Sequence, residues 1–193
     1  MQFDAEYLVA LGSNATSRHG YPVANVEKAL RRLDGDSFKL AAASRLYRTP
    51  FVPAGTAPDV INAVARVTSP LDPQGVLDAL HRIEATFDRE RQVRWGERTL
   101  DLDLILAGDT ILPDRATWAR WHALPPTAQR ERAPDQLILP HPRLTERAFV
   151  LVPAVDIAPD WRHPVLGRTL AELLAALPRE EVAQIRPVSG EPA

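Results

Sequence analysis

The sequence contains no cysteine, which excludes disulfide bonds and metal sites built from thiolate ligands. Lysine is nearly absent as well, because Lys28 and Lys39 are the only two and neither follows a glycine. A phosphate-binding P-loop requires Gly-Lys followed by Ser or Thr, so that class of nucleotide-binding protein is excluded. The signature motifs of protein kinases are missing too.

Long apolar runs and a strong net charge are also lacking. No apolar stretch approaches the ~20 residues that span a bilayer, and Met1 to Glu6 lack the basic start and apolar core of a signal peptide. The formal net charge is −2, so no overall basic field indicates a nucleic-acid partner. We therefore predict a cytoplasmic protein with no nucleic-acid, membrane or obligate protein partner.

What is present is the composition of an ordinary globular protein, with 45% hydrophobic and 25% charged residues in 193. This length favours a single domain, predicted to span residues 1–193. Within it, residues 113–136 are predicted to be a surface excursion that contains a helix and its own small apolar anchor, with a lid or a partner surface as the alternative. Residues 187–193 are polar and are predicted to be a frayed tail.

The apolar periodicity predicts alternating strands and helices. Predicted strands cover 7–11, 38–47, 60–67 and 100–106, and predicted helices cover 23–33, 71–87 and 169–177. Asp72 is the predicted N-cap of the second helix, with Pro73 in its first turn. The order strand, helix, strand, strand, helix, strand predicts an α+β fold, a ferredoxin-like sandwich with helices packed on an antiparallel sheet.

The fourth predicted strand carries an acidic face. Leucines at 100, 102 and 104 alternate with Asp101 and Asp103, so both carboxylates point the same way, roughly 6–7 Å apart. Two carboxylates at this distance repel each other, and a divalent cation with a preference for hard oxygen ligands, such as Mg²⁺, removes the repulsion. The pair therefore favours a metal site.

Arginines precede the acidic strand, at 89, 91, 94 and 98, together with Trp95 and the turn residue Gly96. Guanidinium groups bind phosphate oxygens in pairs, and a metal-bound polyphosphate needs such groups beside the carboxylates. The alternative is an amphipathic strand with a solvated acidic face, preceded by surface arginines that pair with Glu90. The conjunction within one short stretch favours the metal-polyphosphate site.

The stretch Arg-Trp-Gly-Glu-Arg-Thr-Leu-Asp-Leu-Asp-Leu at 94–104 resembles the signature of the 6-hydroxymethyl-7,8-dihydropterin pyrophosphokinase family of folate biosynthesis. The resemblance extends over nearly the whole chain, and Gly12-Ser13-Asn14 after the first strand matches it as well. It implies transfer of pyrophosphate from ATP to the pterin hydroxymethyl group, with release of AMP. It also implies two Mg²⁺ ions, held by Asp101 and Asp103.

The resemblance further assigns roles to individual residues. It implies phosphate-binding catalytic roles for Arg89 and Arg98, ATP contacts for Arg91, Trp95, His141 and Arg147, and pterin contacts for Thr49, Asn62 and Phe149. From the residues alone, Asn62 is interpreted as a structural amide and His141 as a loop residue, while Phe149 could as well be a core residue. Two positions depart from the family pattern: Val60 replaces an aromatic residue that stacks on the pterin, and Asp88 replaces a glycine.

Three other functions remain open from the sequence. A metal-dependent nucleotidyltransferase would use the same acidic pair but release pyrophosphate. A non-catalytic relative would bind pterin or nucleotide without turnover. A ferredoxin-like nucleic-acid module fits least well, because no strand carries the paired aromatic residues that stack on bases.

Overall fold

The computed structural model describes residues 4–51, 57–87, 98–125, 127–128 and 132–188. The strands in these residues are β1 (Ala5–Ser13), β2 (Lys39–Ala43), β3 (Tyr47–Thr49), β4 (Val60–Ser69), β5 (Asp101–Ala107) and β6 (Arg186–Pro187). The helices bounded within them are α1 (Pro22–Arg32), α2 (Pro73–Ala85), α3 (Arg115–His122), α4 (Ala148–Ile157), α5 (Leu170–Ala175) and α6 (Arg179–Val182). None of these helices has the length and apolar character that crossing a membrane requires.

The strands form one sheet in the order β5-β1-β4-β3-β6, with β2 also paired to β4. The pairings β1–β4, β1–β5, β2–β4, β3–β4 and β3–β6 are all antiparallel. The predicted α+β class, with helices packed on an antiparallel sheet, is confirmed. That residues 1–193 form a single domain stays a prediction.

Helices cover both faces of the sheet. On one face, Val9 and Leu11 of β1 share a buried cluster with Val26 of α1 and Leu80 of α2. On the other face, Leu8 and Ala10 share a second cluster with α4 and α5. Alternate residues of β1 point to opposite faces, so a strand buried on both sides is a continuous apolar run.

The sequence prediction missed α4. Its sequence, AFVLVPAVDI, is apolar almost throughout and includes Pro153, so it lacks the periodicity of an amphipathic helix. A helix that is buried along most of its surface has such a sequence. A short apolar run of this kind cannot be distinguished from a buried strand by its periodicity.

The predicted strand at 38–47 is wrong in one respect, because the chain forms two strands there. Ser44 separates β2 from β3, and its backbone N–H donates to the Val64 carbonyl at 2.9 Å. Its hydroxyl oxygen accepts the N–H of the same Val64, also at 2.9 Å. A side chain thus replaces a backbone partner in the ladder, which allows the chain to change direction.

The helix ends largely follow the sequence signals. Asp72 caps α2 as predicted, since its carboxylate accepts the Gly75 N–H at 2.8 Å. Thr169 caps α5 in a reciprocal capping box with Glu172. The tail begins later than predicted, because Pro187 pairs with Tyr47 and the Val188 N–H donates to Leu46 at 2.8 Å. Residues 189–193 lie outside the described part of the chain.

Candidate active site

The two aspartates of β5 lie on the face of the sheet that α4 covers. In the register between β1 and β5, Asp101 is opposite Gly12 and Asp103 is opposite Ala10. Both aspartates are partly exposed, while the neighbouring Leu102 is buried against the other face. The predicted alternation of acidic and apolar faces is therefore confirmed.

Each aspartate is paired with an arginine that the sequence had assigned to phosphate. Arg98 Nη1 donates to Asp101 Oδ2, and Arg147 Nη1 lies 3.5 Å from Asp103 Oδ2. Burial lowers the pKa of Arg147, while the Asp103 carboxylate opposes this effect. The site therefore places two carboxylates and two guanidinium groups side by side, with opposite charges in alternation.

The donor chemistry of the pair fits Mg²⁺. Two carboxylates present hard oxygen atoms, and Mg²⁺ in phosphate-transferring enzymes takes one or two carboxylates and fills its other positions with phosphate oxygens and water. Within the described residues, no group of three or more His, Cys, Asp or Glu side chains is placed to hold a metal ion.

The turn after β1 fixes the segment that carries Arg98. The Asn14 side-chain oxygen accepts the Arg98 N–H at 2.7 Å, and the Asn14 N–H donates to the Arg98 carbonyl at 3.0 Å. Asn25 of α1 and the Ser13 hydroxyl both donate to the Thr99 carbonyl, at 3.0 and 2.6 Å. The sequence analysis identified the turn but not this function, which depends on residues more than 70 positions apart.

Glu84 of α2 is a third carboxylate near the site that the sequence analysis did not assign. It is only 2% exposed, and its Oε1 accepts the Leu102 N–H at 2.7 Å. It therefore holds β5 between the two aspartates. The available signal was its position four residues after Leu80, in the apolar stripe of α2, where a charged residue is unexpected.

Two of the three residues assigned to the pterin lie together on the same face as the aspartates. Thr49 and Asn62 are both buried, and Asn62 Nδ2 donates to Thr49 Oγ1 at 2.8 Å. Gly12 is opposite Asn62 on one side and Asp101 on the other. Asn62 and Asp101 are thus two strand spacings apart, about 10 Å, and the residue between them on β1 is a glycine.

Gly12 keeps this space open. A Cβ atom at this position would lie 3.3 Å from Asn62 Oδ1 and 3.7 Å from Val60 Cγ1. Val60, where the family pattern has an aromatic residue, therefore borders the same space. A side chain at position 12 would press on the amide that is assigned to the pterin.

Phe149 is not a core residue. It is 38% exposed, at the start of α4, and the guanidinium carbon of Arg147 lies 5.6 Å from the centre of its ring. This cation–π contact orients both side chains at the same end of the sheet. The alternative interpretation of Phe149 as part of the core is therefore wrong, and a stacking role stays a prediction.

A cleft of about 470 Å³ opens beside Asp103. Its walls are formed by Gln74, Leu77, Asp103, Leu104, Trp121, residues 132–138, His141, Pro142, Arg143 and Arg147. Two of the four residues assigned to ATP, His141 and Arg147, are thus in one cleft with a predicted metal ligand. Part of the wall comes from the excursion at 113–136.

His141 is held as a neutral imidazole. Its backbone N–H donates to Ile105 at 2.9 Å, and its Nδ1 accepts the Arg143 N–H at 3.1 Å. Burial lowers its pKa well below the ordinary value, and the nearby charges of Arg147 and Arg143 lower it further. Because Nδ1 is an acceptor, the proton is on Nε2, which makes His141 a hydrogen-bond donor through that atom.

Comparison with known proteins identifies the family. The model of 7,8-dihydro-6-hydroxymethylpterin-pyrophosphokinase matches residues 8–159. The chain belongs to this family. It is 38% identical to 2-amino-4-hydroxy-6-hydroxymethyldihydropteridine pyrophosphokinase of Pseudomonas aeruginosa, over 92% of this chain and 94% of the relative. It is 33% identical to the protein of the same name from Haemophilus influenzae, over 93% and 97%.

Solved structures of the same family support the fold. The chain superposes on the Plasmodium falciparum HPPK-DHPS structure with a TM-score of 0.63 and 15% identity. The match covers 89% of this chain and 43% of the Plasmodium chain. At this identity the likeness concerns the fold alone.

Several of the assigned residues fall outside the described part of the chain. Arg89, Arg91 and Trp95 are among residues 88–97, as is the departing residue Asp88. Of the other assigned residues, Asp101, Asp103, Arg98 and Arg147 form one cluster, and Thr49 and Asn62 lie across Gly12 from it. The roles of Arg89, Arg91 and Trp95 stay predictions from the resemblance.

Proposed function

We propose that this family member carries out its reaction on the face of the sheet between Asn62 and the cleft beside Asp103. It is an ATP-dependent pyrophosphokinase of folate biosynthesis, which transfers pyrophosphate from ATP to the hydroxymethyl group of 6-hydroxymethyl-7,8-dihydropterin and releases AMP. One observation carries the assignment of the site: Asp101 and Asn62 lie on either side of Gly12 in the same register. A pterin bound at Asn62 extends its hydroxymethyl group toward the carboxylates.

We assign the metal site to Asp101 and Asp103, with two Mg²⁺ ions. Bound there, Mg²⁺ supplies charge neutralisation to the phosphates and lowers the pKa of the attacking hydroxyl. Arg98 and Arg147 then exchange their carboxylate partners for phosphate oxygens. Until then, the contacts with Asp101 and Asp103 hold both guanidinium groups beside the place where the phosphates bind.

The nucleotide occupies the cleft. His141 offers its Nε2–H and Arg147 its guanidinium group to the phosphates, while Leu77 and Leu104 supply apolar wall. Because the pKa of His141 lies well below its ordinary value, the ring is neutral and its Nε2–H is the available donor.

The pterin is recognised by Asn62 through the donor and acceptor pattern of its ring edge. The bond from Asn62 Nδ2 to Thr49 fixes the amide orientation and directs Oδ1 toward the space above Gly12. Phe149 provides one stacking face. With Val60 in place of an aromatic residue, the second face loses about 1 kcal/mol of stacking.

Catalysis in this arrangement consists of positioning and electrostatic stabilisation. The substrate oxygen attacks the β-phosphorus in line, and AMP leaves on the opposite side. Arg98 and Arg147 balance the negative charge that the phosphates carry. Arg89 is assigned the same role by the resemblance, and no side chain is assigned as a general base. The predicted cytoplasmic location and the predicted lack of nucleic-acid, membrane or obligate protein partners stay predictions from the sequence.

The deciding experiment measures the nucleotide product. The protein is incubated with ATP, Mg²⁺ and 6-hydroxymethyl-7,8-dihydropterin, and the nucleotides are separated. We expect pterin-dependent AMP from the natural sequence and none from Asp101→Asn with Asp103→Asn. Asp109→Asn is the matched control, since Asp109 is exposed in the turn after β5. Release of free pyrophosphate would indicate a nucleotidyltransferase, and pterin binding without AMP would indicate a non-catalytic relative.

A further inference from the structure

Helix α3 of the excursion holds the loop that carries His141. The indole Nε1–H of Trp118 donates to the Pro140 carbonyl at 2.8 Å, and Trp118 is only 2% exposed. His122 Nδ1 bonds to the Pro142 carbonyl, also at 2.8 Å. The two carbonyls belong to the residues immediately before and after His141. A single helix therefore fixes both sides of the histidine.

The prolines on either side of His141 limit the backbone groups that can hold this loop. Pro140 and Pro142 have no N–H groups, so each offers the fold only its carbonyl as a backbone partner. His141 itself is bound through its N–H to Ile105 and through its carbonyl to the Leu144 N–H, at 2.9 and 3.0 Å. Loss of α3 would leave both proline carbonyls without the partners that set their direction.

The two holding side chains also support each other. Trp118 and His122 are four residues apart on one face of α3, and their rings stack with centroids 4.6 Å apart and planes 15° apart. On another side, Trp118 meets the buried ring of His163 at 5.2 Å in an edge contact. The pair is thus locked in place before any ligand binds.

The same helix contributes to the cleft. Trp121 lies between the two holding residues in sequence and lines the wall together with His141 and Arg147. Of these three side chains, Trp121 lines the cleft, while Trp118 and His122 contact the loop that carries His141. The excursion is therefore part of the site.

We propose that Trp118 and His122 are positioning residues for the nucleoside triphosphate, acting through His141. They do not touch the reacting atoms in this scheme. They set the direction of the Pro140 and Pro142 carbonyls, and thereby the place from which His141 Nε2–H meets a phosphate or base. The inference rests on the proposed nucleotide role of His141.

The first test separates hydrogen bonding from packing. His122→Leu removes the donor, whereas His122→Asn retains an N–H at the position of Nδ1. Trp118→Phe removes the indole N–H and keeps an aromatic ring. We expect His122→Leu and Trp118→Phe to raise the KM for ATP about five- to tenfold, with the pterin KM within about twofold. His122→Asn should restore the ATP KM, and Ala119→Gln, on the exposed face of α3, should leave it unchanged.

The second test asks whether the effect passes through His141. Each variant is repeated in a His141→Ala background, and the Kd of the non-cleavable analogue α,β-methylene-ATP is measured with the kinetics. We expect the ATP effect of His122→Leu to disappear in that background, because positioning of an absent side chain has no consequence. Full additivity with His141→Ala, or equal losses for ATP and pterin, would overturn the inference.

The same data distinguish failure of the inference from failure of the site assignment. If His141→Ala weakens ATP binding but His122→Leu and Trp118→Phe do not, the positioning role is wrong and the nucleotide site stands. If His141→Ala leaves ATP binding intact in an enzyme that still forms AMP, the nucleotide role of His141 is wrong, and the inference fails with it.

Discussion

Glu84 and Leu102 join helix α2 to the middle of the acidic strand. The Glu84 carboxylate accepts the Leu102 N–H at 2.7 Å, in a position where the carboxylate is almost fully buried. Leu102 is the residue between Asp101 and Asp103, so the bond fixes the strand at the point where both predicted metal ligands are set. A buried carboxylate is costly unless it is well bonded, which makes this contact a constraint on the site as well as on the fold.

We predict that Glu84→Ala lowers the free energy of unfolding by about 2–3 kcal/mol, because the Leu102 N–H loses its buried acceptor and a cavity remains. Urea unfolding measures this change. Glu84→Gln, which retains a side-chain oxygen, should cost less and keep more of the AMP-forming activity. A Gln variant as unstable as the Ala variant would show that the charge, and not the acceptor, is what matters.

A methyl group at Gly12 tests the space between Asn62 and Asp101. We predict that Gly12→Ala raises the KM for the pterin about tenfold and leaves the KM for ATP within about twofold, because the added Cβ lies 3.3 Å from Asn62 Oδ1. Gly35→Ala is the matched control, since its Cβ would be 3.5 Å from the nearest atom, an ordinary contact. Equal effects on both substrates would place the pterin elsewhere.

Arg147 is predicted to depend on the shape of its side chain as well as on its charge. Its guanidinium group faces Asp103 at 3.5 Å and the Phe149 ring at 5.6 Å, and a lysine cannot keep both contacts while binding phosphate in two places. We expect Arg147→Lys to raise the KM for ATP about tenfold. Steady-state kinetics measure this change in KM. Arg66→Lys is the control, because Arg66 forms an exposed ion pair with Glu6. A normal ATP KM in Arg147→Lys would argue against phosphate binding by this residue.

Local patterns predicted the parts of this site that lie on one element. The alternation at 100–106 placed Asp101 and Asp103 on one face because strand geometry makes it so. Asp72 is predicted as a cap from its place before Pro73 and the apolar stripe of α2, and its bond is to a residue only three positions away. In both cases the physical cause lies within a few residues, and the sequence displays it directly.

The missed parts depend on contacts between distant residues. Asn14 holds Arg98 from 84 positions away, and Glu84 reaches Leu102 across two elements. Helix α4 has no polar face because it is buried between the sheet and α5, so its pattern lacks a period. The sequence of the excursion predicts a surface insertion, because it does not show that α3 packs against Pro140 and Pro142.

His163 is buried in a form that cannot easily accept a proton. It is 0% exposed, its Nδ1 accepts the Val165 and Leu166 N–H groups at 3.3 Å, and no described residue accepts a bond from its Nε2. Burial lowers its pKa from 6.5 to about 4, and His122 nearby contributes in the same direction. The unfolded chain therefore binds a proton at this residue more readily than the folded one.

The sign of the pH dependence follows from this difference. The stabilisation from a neutral His163 is fully present above pH 6.5 and is lost as the pH falls from about 6.5 to about 4, by up to about 3 kcal/mol. His141, whose pKa is also lowered, contributes with the same sign. Comparing the natural protein with a variant at position 163 therefore isolates the contribution of His163 to the pH dependence of stability.

We predict that His163→Asn flattens the dependence of unfolding free energy on pH between 6.5 and 4.5, measured by urea unfolding at several pH values. Asparagine offers an oxygen to the Val165 and Leu166 N–H groups but does not titrate, so the cavity it leaves lowers stability by a similar amount at every pH. The difference in unfolding free energy between the natural protein and His163→Asn should thus be largest above pH 6.5 and should shrink as the pH falls. Parallel curves would mean that His163 is protonated equally in the folded and unfolded states, and that its burial does not lower its pKa.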